Sequence, residues 1–243
     1  MSIYKFKCAS LDRMVFDRII FVGDSAHVVS PFGARGGNGG IHDVDNLGWK
    51  LASILKDNIS DNILKTYNEE RIEAAKENIA NSSRATNFMT PKNKMAKAFR
   101  DQVLDLSVNN QFLRKIINSG RLSVPFKLSG LKLDNEYRDD PLLGSIYVDF
   151  PILDRKGNRL FLTDVIANSY NLLSFSKVKN EFPFNLNIIS VGEENNEVVD
   201  FLDFEGKGLE RYRADLNYLI RPDGYIVGIF KEINISVLEK CML

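Results

Sequence analysis

The residues best able to do chemistry fall between positions 23 and 52. Gly23-Asp24-Ser25-Ala26-His27 is followed by Pro31, by Gly33-Ala34-Arg35-Gly36-Gly37-Asn38-Gly39-Gly40, and then by Asp43, Asn46, Trp49 and Lys50. Asp24 comes directly after the apolar run Ile19-Ile20-Phe21-Val22 and Gly23. A carboxylate delivered to the C-terminal edge of a strand can accept hydrogen bonds from ligand hydroxyls, such as those of a sugar or ribityl chain. Clustered glycines remove Cβ atoms and let backbone approach a flat ligand closely. A helix beginning after them presents unpaired N–H groups and a positive dipole end. That end suits a pyrophosphate, or the electron-rich edge of a flavin ring. The stretch contains neither G-x-G-x-x-G nor G-x-x-x-x-G-K-[ST]. Spacing alone therefore leaves two readings open, a nucleotide-type site or an ordinary loop ahead of a helix.

The neighbouring polar groups carry weaker expectations. His27 is expected to serve the turn and its packing rather than to act as a base. His42 is expected in the first helical turn, solvated or locally bonded. Trp49, at helical spacing, is expected to face the core. Arg35 is open between a phosphate or substrate contact and a solvated loop charge.

The elements that must position these groups can be read from the apolar pattern. Residues 18–24 read as a buried strand of the α/β type, ending in a turn. Residues 30–40 hold five glycines in eleven positions and read as a loop. Leu47, Leu51, Ile54 and Leu55 then recur at helical spacing. Over 61–85, Leu64, Tyr67, Ile72, Ala75 and Ile79 share one face amid Glu, Lys and Arg, which predicts a helix. Met95, Phe99, Val103 and Leu106 predict another over 93–107, with Phe112 to Ile117 continuing it or starting a short helix. Asn118-Ser119-Gly120 is a turn signal. Beyond it the pattern becomes strand-like at 145–150, 171–175, 185–191 and 198–204. Residues 216–230 read as a hairpin about Arg221-Pro222-Asp223-Gly224, and a last helix is expected over 235–241.

Composition sets outer bounds. The chain has 243 residues, 44% hydrophobic and 26% charged, as in ordinary globular proteins. Lys+Arg and Asp+Glu are both 32, so the zero net charge gives no general reason to bind nucleic acid or an anionic membrane. The two cysteines, Cys8 and Cys241, are expected to be free thiols in a reducing cytoplasm. With His27 and His42 the only histidines and no C-x-x-C, no metal site is expected. No stretch approaches the roughly 18 apolar residues of a spanning helix.

The ordered run from Gly23 to Ala52 resembles the second FAD motif of the group A flavoprotein monooxygenases, the family of p-hydroxybenzoate and phenol hydroxylases. Its Ser-Pro-Phe-Gly-Ala-Arg-Gly form, residues 30–36, is similar to the branch of 3-hydroxyphenylpropionate-type hydroxylases. The resemblance implies a cofactor-binding set of Gly23, Asp24, Pro31, Gly36, Gly37, Asn38, Gly39 and Gly40. Asp24 would bond the ribityl chain and Pro31 would line the flavin reaction face. The backbone of Gly37 and Asn38 would donate to flavin O2, and Gly36, Gly39 and Gly40 would allow close approach. Gly37 departs from the family, which often has Met or Ala there. The C-terminal region resembles the thioredoxin-like domain of phenol hydroxylase relatives, on Asp164, the strand-like 171–175 and Leu219 to Tyr225. Without paired thiols it would be structural or would mediate dimer contacts.

The resemblance implies a fold of the α/β class: a truncated FAD-binding domain portion with long helices over 1–120, a linker over 121–141, and a thioredoxin-like domain over 142–243. It implies NAD(P)H as reductant and hydroxylation of an aromatic ring through a flavin C4a-hydroperoxide. Residues 2–7 resemble the last strand before the motif in complete enzymes. The G-x-G-x-x-G turn for the ADP half of FAD is absent, so the chain is expected to be inactive alone and active only when joined to its N-terminal part or paired with it as a separate N-terminal FAD-domain chain. The alternative is a non-catalytic flavin scaffold or dimerising protein, a remnant of a split gene. Apolar surface left uncovered would favour a homodimer or larger association.

Overall fold

The computed structural model describes residues 6–31, 35–117, 124–131, 137–178, 182–192 and 199–242. The chain divides into two units, Met1–Phe126 and Lys127–Leu243. The fold is of the α/β class, with long helices in the first unit and a mixed sheet in the second.

In the first unit, β1 (Ala9–Ser10) pairs antiparallel with β4 (His27–Val28), and β2 (Val15–Phe16) with β3 (Ile19–Ile20). Asp17, with φ of 53°, makes the tight turn of the second pair, a conformation Asp tolerates through its short polar side chain. The buried strand expected over 18–24 is a correction. Only Ile19 and Ile20 are strand, Ile19 is 62% exposed, and residues 23–25 form one 3-10 turn. The Phe21 amide donates to the Met14 carbonyl, and the Phe21 carbonyl accepts from the Tyr67 hydroxyl at 2.8 Å. Its backbone is thus satisfied without a ladder. The apolar run still buries surface, because Ile20, Phe21 and Val22 pack on a core of Met14, Ala26, Leu47, Tyr67 and Ala75.

Four helices follow: α1 (Arg35–Asp57), α2 (Ile63–Met89), α3 (Lys94–Ser107) and α4 (Gln111–Ile117). Asn58, at φ 53°, stops α1 in the left-handed conformation common after a helix end. Thr90 stops α2 because it precedes Pro91, which disfavours helical backbone. The Asn93 side chain caps α3 by accepting from the Ala96 amide at 2.8 Å. The apolar spacing of α3 gives the helix but not its burial. Met95 is 82% exposed, Phe99 is 68% exposed, and no residue of α3 is buried.

The second unit is built on a seven-stranded mixed sheet among the described residues. Its strands are β5 (Pro151–Asp154), β6 (Arg159–Phe161), β7 (Tyr170–Ser174), β8 (Leu186–Gly192), β9 (Phe201–Leu202), β10 (Asn217–Ile220) and β11 (Ile226–Phe230). Their order is β11-β10-β7-β8-β9-β5-β6, with β7/β8 and β8/β9 parallel. The short α5 (Leu162–Val165) precedes β7, and α6 (Ile235–Cys241) closes the chain on the residues expected. The hairpin turn holds as read: the Gly224 amide donates to the Arg221 carbonyl at 2.9 Å, with Gly224 at φ 80°. The buried Arg221 guanidinium adds two bonds to Asp223, at 2.9 and 2.7 Å.

The strand expected over 145–150 is absent, replaced by one isolated bridge between Ile146 and Tyr225, with β5 starting at Pro151. The strand expected over 198–204 shrinks to β9, and Val198 lies outside the described residues. Of the described parts of the expected linker, residues 124–126 fall in the first unit and residues 127–131 and 137–141 in the second, where the Leu128 amide donates to the Gly144 carbonyl at 2.8 Å and Leu128 is buried. The turn at 118–120 and most of the strand at 2–7 lie outside the described residues, while Phe6 and Lys7 carry no strand.

Candidate functional site

The glycine-dense stretch is helix rather than loop, since α1 begins at Arg35. The N–H groups of Gly36 and Gly37 therefore stand in its first turn, where the helix itself supplies no acceptor. The glycines divide by direction. A Cβ on Gly37 would meet nothing within 4 Å, and one on Gly36 would touch Val29 Cγ2 at 3.7 Å. A Cβ on Gly39 would lie 3.1 Å from His27 Cε1, and one on Gly40 would lie 3.3 Å from Gly23 Cα. Gly39 and Gly40 thus let α1 pack against the 23–27 segment, while Gly37 leaves space open. Asn38 follows in the same turn of α1.

Asp24 sits in the 3-10 turn, exposed, with no side-chain partner among the described residues. Gly23 at φ 57° supplies the turn's left-handed step. Pro31 is exposed. Ser30 before it is buried and shares a 2.8 Å hydrogen bond with Thr86. Residues 32–34 of the motif lie outside the described residues.

The second half of the motif holds α1 to α2. The buried Asp43 carboxylate takes His27 Nε2 at 2.7 Å and the Gly23 amide at 2.9 Å on one oxygen, and Arg71 Nε at 2.7 Å on the other. Burial alone would raise the Asp43 pKa. The His27 bond, the Arg71 charge and the Gly23 amide outweigh it and hold the group below the usual carboxylate value. An ionised Asp43 makes Nε2 the protonated nitrogen of His27. One turn on, the buried Lys50 ammonium donates to Asn46 Oδ1 and Glu70 Oε2, each at 2.9 Å, and Asn46 Nδ2 donates to Glu70 at 2.8 Å.

His27 is buried in β4 and bonded to Asp43. Arg35 is not the solvated loop charge considered for it. Its guanidinium is buried, donating to Asn78 Oδ1 at 2.6 Å and to the Val124 carbonyl at 3.0 Å. His42 lies two turns into α1, half-buried, and burial with the Arg71 charge lowers its pKa. Trp49 is half-buried with its neighbour's ammonium 5.6 Å from its ring. The partners on α2, namely Glu70, Arg71 and Asn78, were not singled out from the sequence. Their signal is positional: Arg71 and Asn78 fall on the same seam as Tyr67, Ala74 and Ala75, where a solvated charge does not belong.

Both cysteines are free, and no metal-binding group occurs among the described residues. No described helix is long and apolar enough to cross a membrane.

Residues 1–82 match the family model of an FAD binding domain. Similar proteins include a 3-(3-hydroxy-phenyl)propionate/3-hydroxycinnamic acid hydroxylase of Mycolicibacterium gilvum, 26% identical over 161 residues, or 65% of this chain and 28% of that protein. Another is the tetracenomycin B2 monooxygenase-dioxygenase of Streptomyces olivaceus, 56% identical over 54 residues, or 22% of this chain and 10% of its length. The chain is thus similar, over these stretches, to FAD-dependent aromatic monooxygenases. The fold agrees. The flavin-dependent monooxygenase PieE, solved with FAD and substrate, superposes with a TM-score of 0.74 at 16% identity over 98% of this chain and 49% of its own. Aklavinone-11 hydroxylase, solved with FAD and aklavinone, gives 0.72 at 22% identity over 98% and 46%. The chain thus spans about half of these solved relatives and 28% of the Mycolicibacterium protein.

Proposed function

We propose that these residues form the flavin-ring side of an FAD site in an NAD(P)H-dependent aromatic hydroxylase. The observation that carries the reading is the open end of α1. The N–H groups of Gly36 and Gly37, with no Cβ at Gly37 to cover them, stand in the same segment as an exposed Asp24 carboxylate that has no side-chain partner among the described residues. The donor set fits a flavin. Asp24 accepts from ribityl hydroxyls, the helix end and the Gly37–Asn38 backbone favour the ring edge that gains negative charge on reduction, and Pro31 lines the reaction face. Bound FAD would supply the redox and oxygen chemistry, with the protein positioning it and shielding it from water.

The 243 residues hold no G-x-G-x-x-G. The adenosine end of FAD would be held by sequence outside them, in the same protein or in a partner chain, and these residues alone would not turn over substrate. The order β8-β7-β10-β11, a parallel pair flanked by an antiparallel hairpin and followed by α6, supports a thioredoxin-like reading of the second unit. Lacking paired thiols, that unit would be structural or would mediate dimer contacts. The exposed apolar residues of α3 favour a second reading, a flavin-type scaffold used for association.

The test is a titration of the purified chain with FAD, followed by flavin fluorescence. Saturable binding in the micromolar range is expected, weakened about tenfold in Asp24→Ala, the worth of one lost hydrogen bond to a charged acceptor. Absence of binding up to millimolar FAD would overturn the reading for this chain.

A further inference from the structure

The groups assigned to the flavin stand on two elements, Asp24 on the 23–25 turn and the Gly36–Gly37 backbone on α1. One ligand can use both only if the turn is held in a fixed orientation against the helix. Within the turn, the Ala26 amide donates to the Gly23 carbonyl at 2.9 Å, the Val22 amide to the Ser25 hydroxyl at 3.3 Å, and that hydroxyl to the Val22 carbonyl at 2.7 Å. These bonds close the turn on itself and give it no direction toward α1. Its contact with α1 is of two kinds. Gly23 packs on Gly40, so closely that a Cβ on Gly40 would lie 3.3 Å from Gly23 Cα. That contact is apolar and tolerates rotation. The Gly23 amide, in the residue held at φ 57°, donates to Asp43 Oδ2 at 2.9 Å. A hydrogen bond weakens steeply as it bends, so it fixes orientation where packing does not. Asp43 is fully buried and lies three residues beyond Gly40, on the same face of α1.

We propose that Asp43 is a positioning residue of the flavin site: by holding the Gly23 amide it sets the Asp24 carboxylate relative to the first turn of α1, so that one flavin meets both. The role rests on the flavin reading, whereas the hold on the turn does not. The other bonds of Asp43, to His27 Nε2 on the same oxygen and to Arg71 Nε on the second, keep its carboxylate in place.

Replacing Asp43 alone would strand the buried Arg71 guanidinium, whereas neutral replacement of both members of a buried ion pair is commonly tolerated. The test therefore compares Asp43→Asn with Asp43→Leu, each combined with Arg71→Met. The two new side chains are uncharged and close in size, and only the carboxamide can accept from the Gly23 amide. Circular dichroism confirms folding, and FAD titration reads the site. The carboxamide pair should bind FAD within about twofold of the parent and the leucine pair about tenfold more weakly, as for one lost hydrogen bond. Adding Asp24→Ala to the leucine pair should weaken binding little further, because that carboxylate is already out of place, whereas independent roles would multiply the two losses. Glu70→Gln disturbs the α1–α2 contact at Lys50 without touching the turn and should leave FAD binding unchanged. Equal affinities in the two pairs, losses that multiply, or a matching loss in Glu70→Gln would each overturn the proposal. Hydrogen exchange without FAD, read by mass spectrometry, separates the two readings. Exchange over residues 22–26 should be faster in the leucine pair than in the carboxamide pair. If exchange differs but the parent binds no FAD, the hold on the turn stands and its role in a flavin site falls. If the parent binds FAD but exchange is alike in the two pairs, the positioning falls and the flavin reading stands.

Discussion

Gly37 and Gly40 lie three positions apart in α1 and differ in what a methyl group would meet. At Gly37 the space is empty, so alanine there gains only the helix preference of about 0.5–1 kcal/mol. At Gly40 the methyl would come within 3.3 Å of the Gly23 backbone, which has no side chain to swing aside. Overpacking of that kind costs about 1–3 kcal/mol. Gly37→Ala should therefore raise the melting temperature slightly and Gly40→Ala should lower it by several degrees, as read by thermal unfolding. The flavin reading adds an opposite effect for Gly37→Ala, because the methyl would crowd the open N–H groups and weaken FAD binding. A variant that is more stable yet binds FAD as well as the parent would count against placing the ring edge there. The glycine cluster was visible in the sequence as a place of close approach. Which glycine faces the protein and which faces open space was not, since that depends on helix phase and the phase is set by packing on residues 23–27.

At the scale of elements, α1 and α2 are joined by charges as well as by apolar contact. Asp43 and Arg71 are nearly fully buried, so removing Arg71 leaves an uncompensated carboxylate. Arg71→Met should cost about 3–5 kcal/mol at neutral pH, measured by chemical denaturation. The pH dependence follows from the direction of two shifts. Asp43 has a folded pKa below its unfolded value, so its stabilisation is complete above about pH 4 and is lost as pH falls through the folded pKa. His42 is also lowered when folded, so its share is complete above about pH 6.5 and is lost on acidification. Both make the first unit less stable in acid. The deficit of Arg71→Met should shrink as pH falls toward 4, because protonation relieves the stranded Asp43. An unchanged deficit between pH 7.5 and 4 would mean that the pair is not coupled. Helix positions were legible at this scale because α1, α2 and α3 repeat their apolar residues near every third or fourth position. The polar seam was not legible, since Arg71 and Glu70 read as ordinary solvated charges until Asp43 and Lys50 are known to be buried opposite them. The run Ile19 to Val22 misled for a related reason. Four apolar residues signal burial, but a strand also needs a neighbour, and here the Phe21 carbonyl bonds to Tyr67 instead.

For the whole molecule, the α/β class and its change of character near residue 120 could be read from a helical period giving way to β-branched runs and turn signals. Pairing order could not, because parallel neighbours such as β7 and β8 carry no local mark of register. Surface is where the molecule departs most from an ordinary monomer. Met95, Phe99 and Leu106 fall on one stripe of α3 and are exposed, as are Val108 and Phe112 just beyond it. Contiguous apolar surface of this kind marks either an interface or an aggregation site. Self-association of the purified chain is therefore expected. Its mass by light scattering should rise with concentration, and the double variant Met95→Glu, Phe99→Glu should bring it back toward that of one chain. Both substitutions replace exposed side chains on a solvated helix, so unfolding is not the expected cause of any change, and circular dichroism on the same samples would verify that. A parent chain that remains a monodisperse monomer up to high concentration would show that the stripe is tolerated as plain surface. A mass that rises equally in parent and variant would place the contact elsewhere on the molecule.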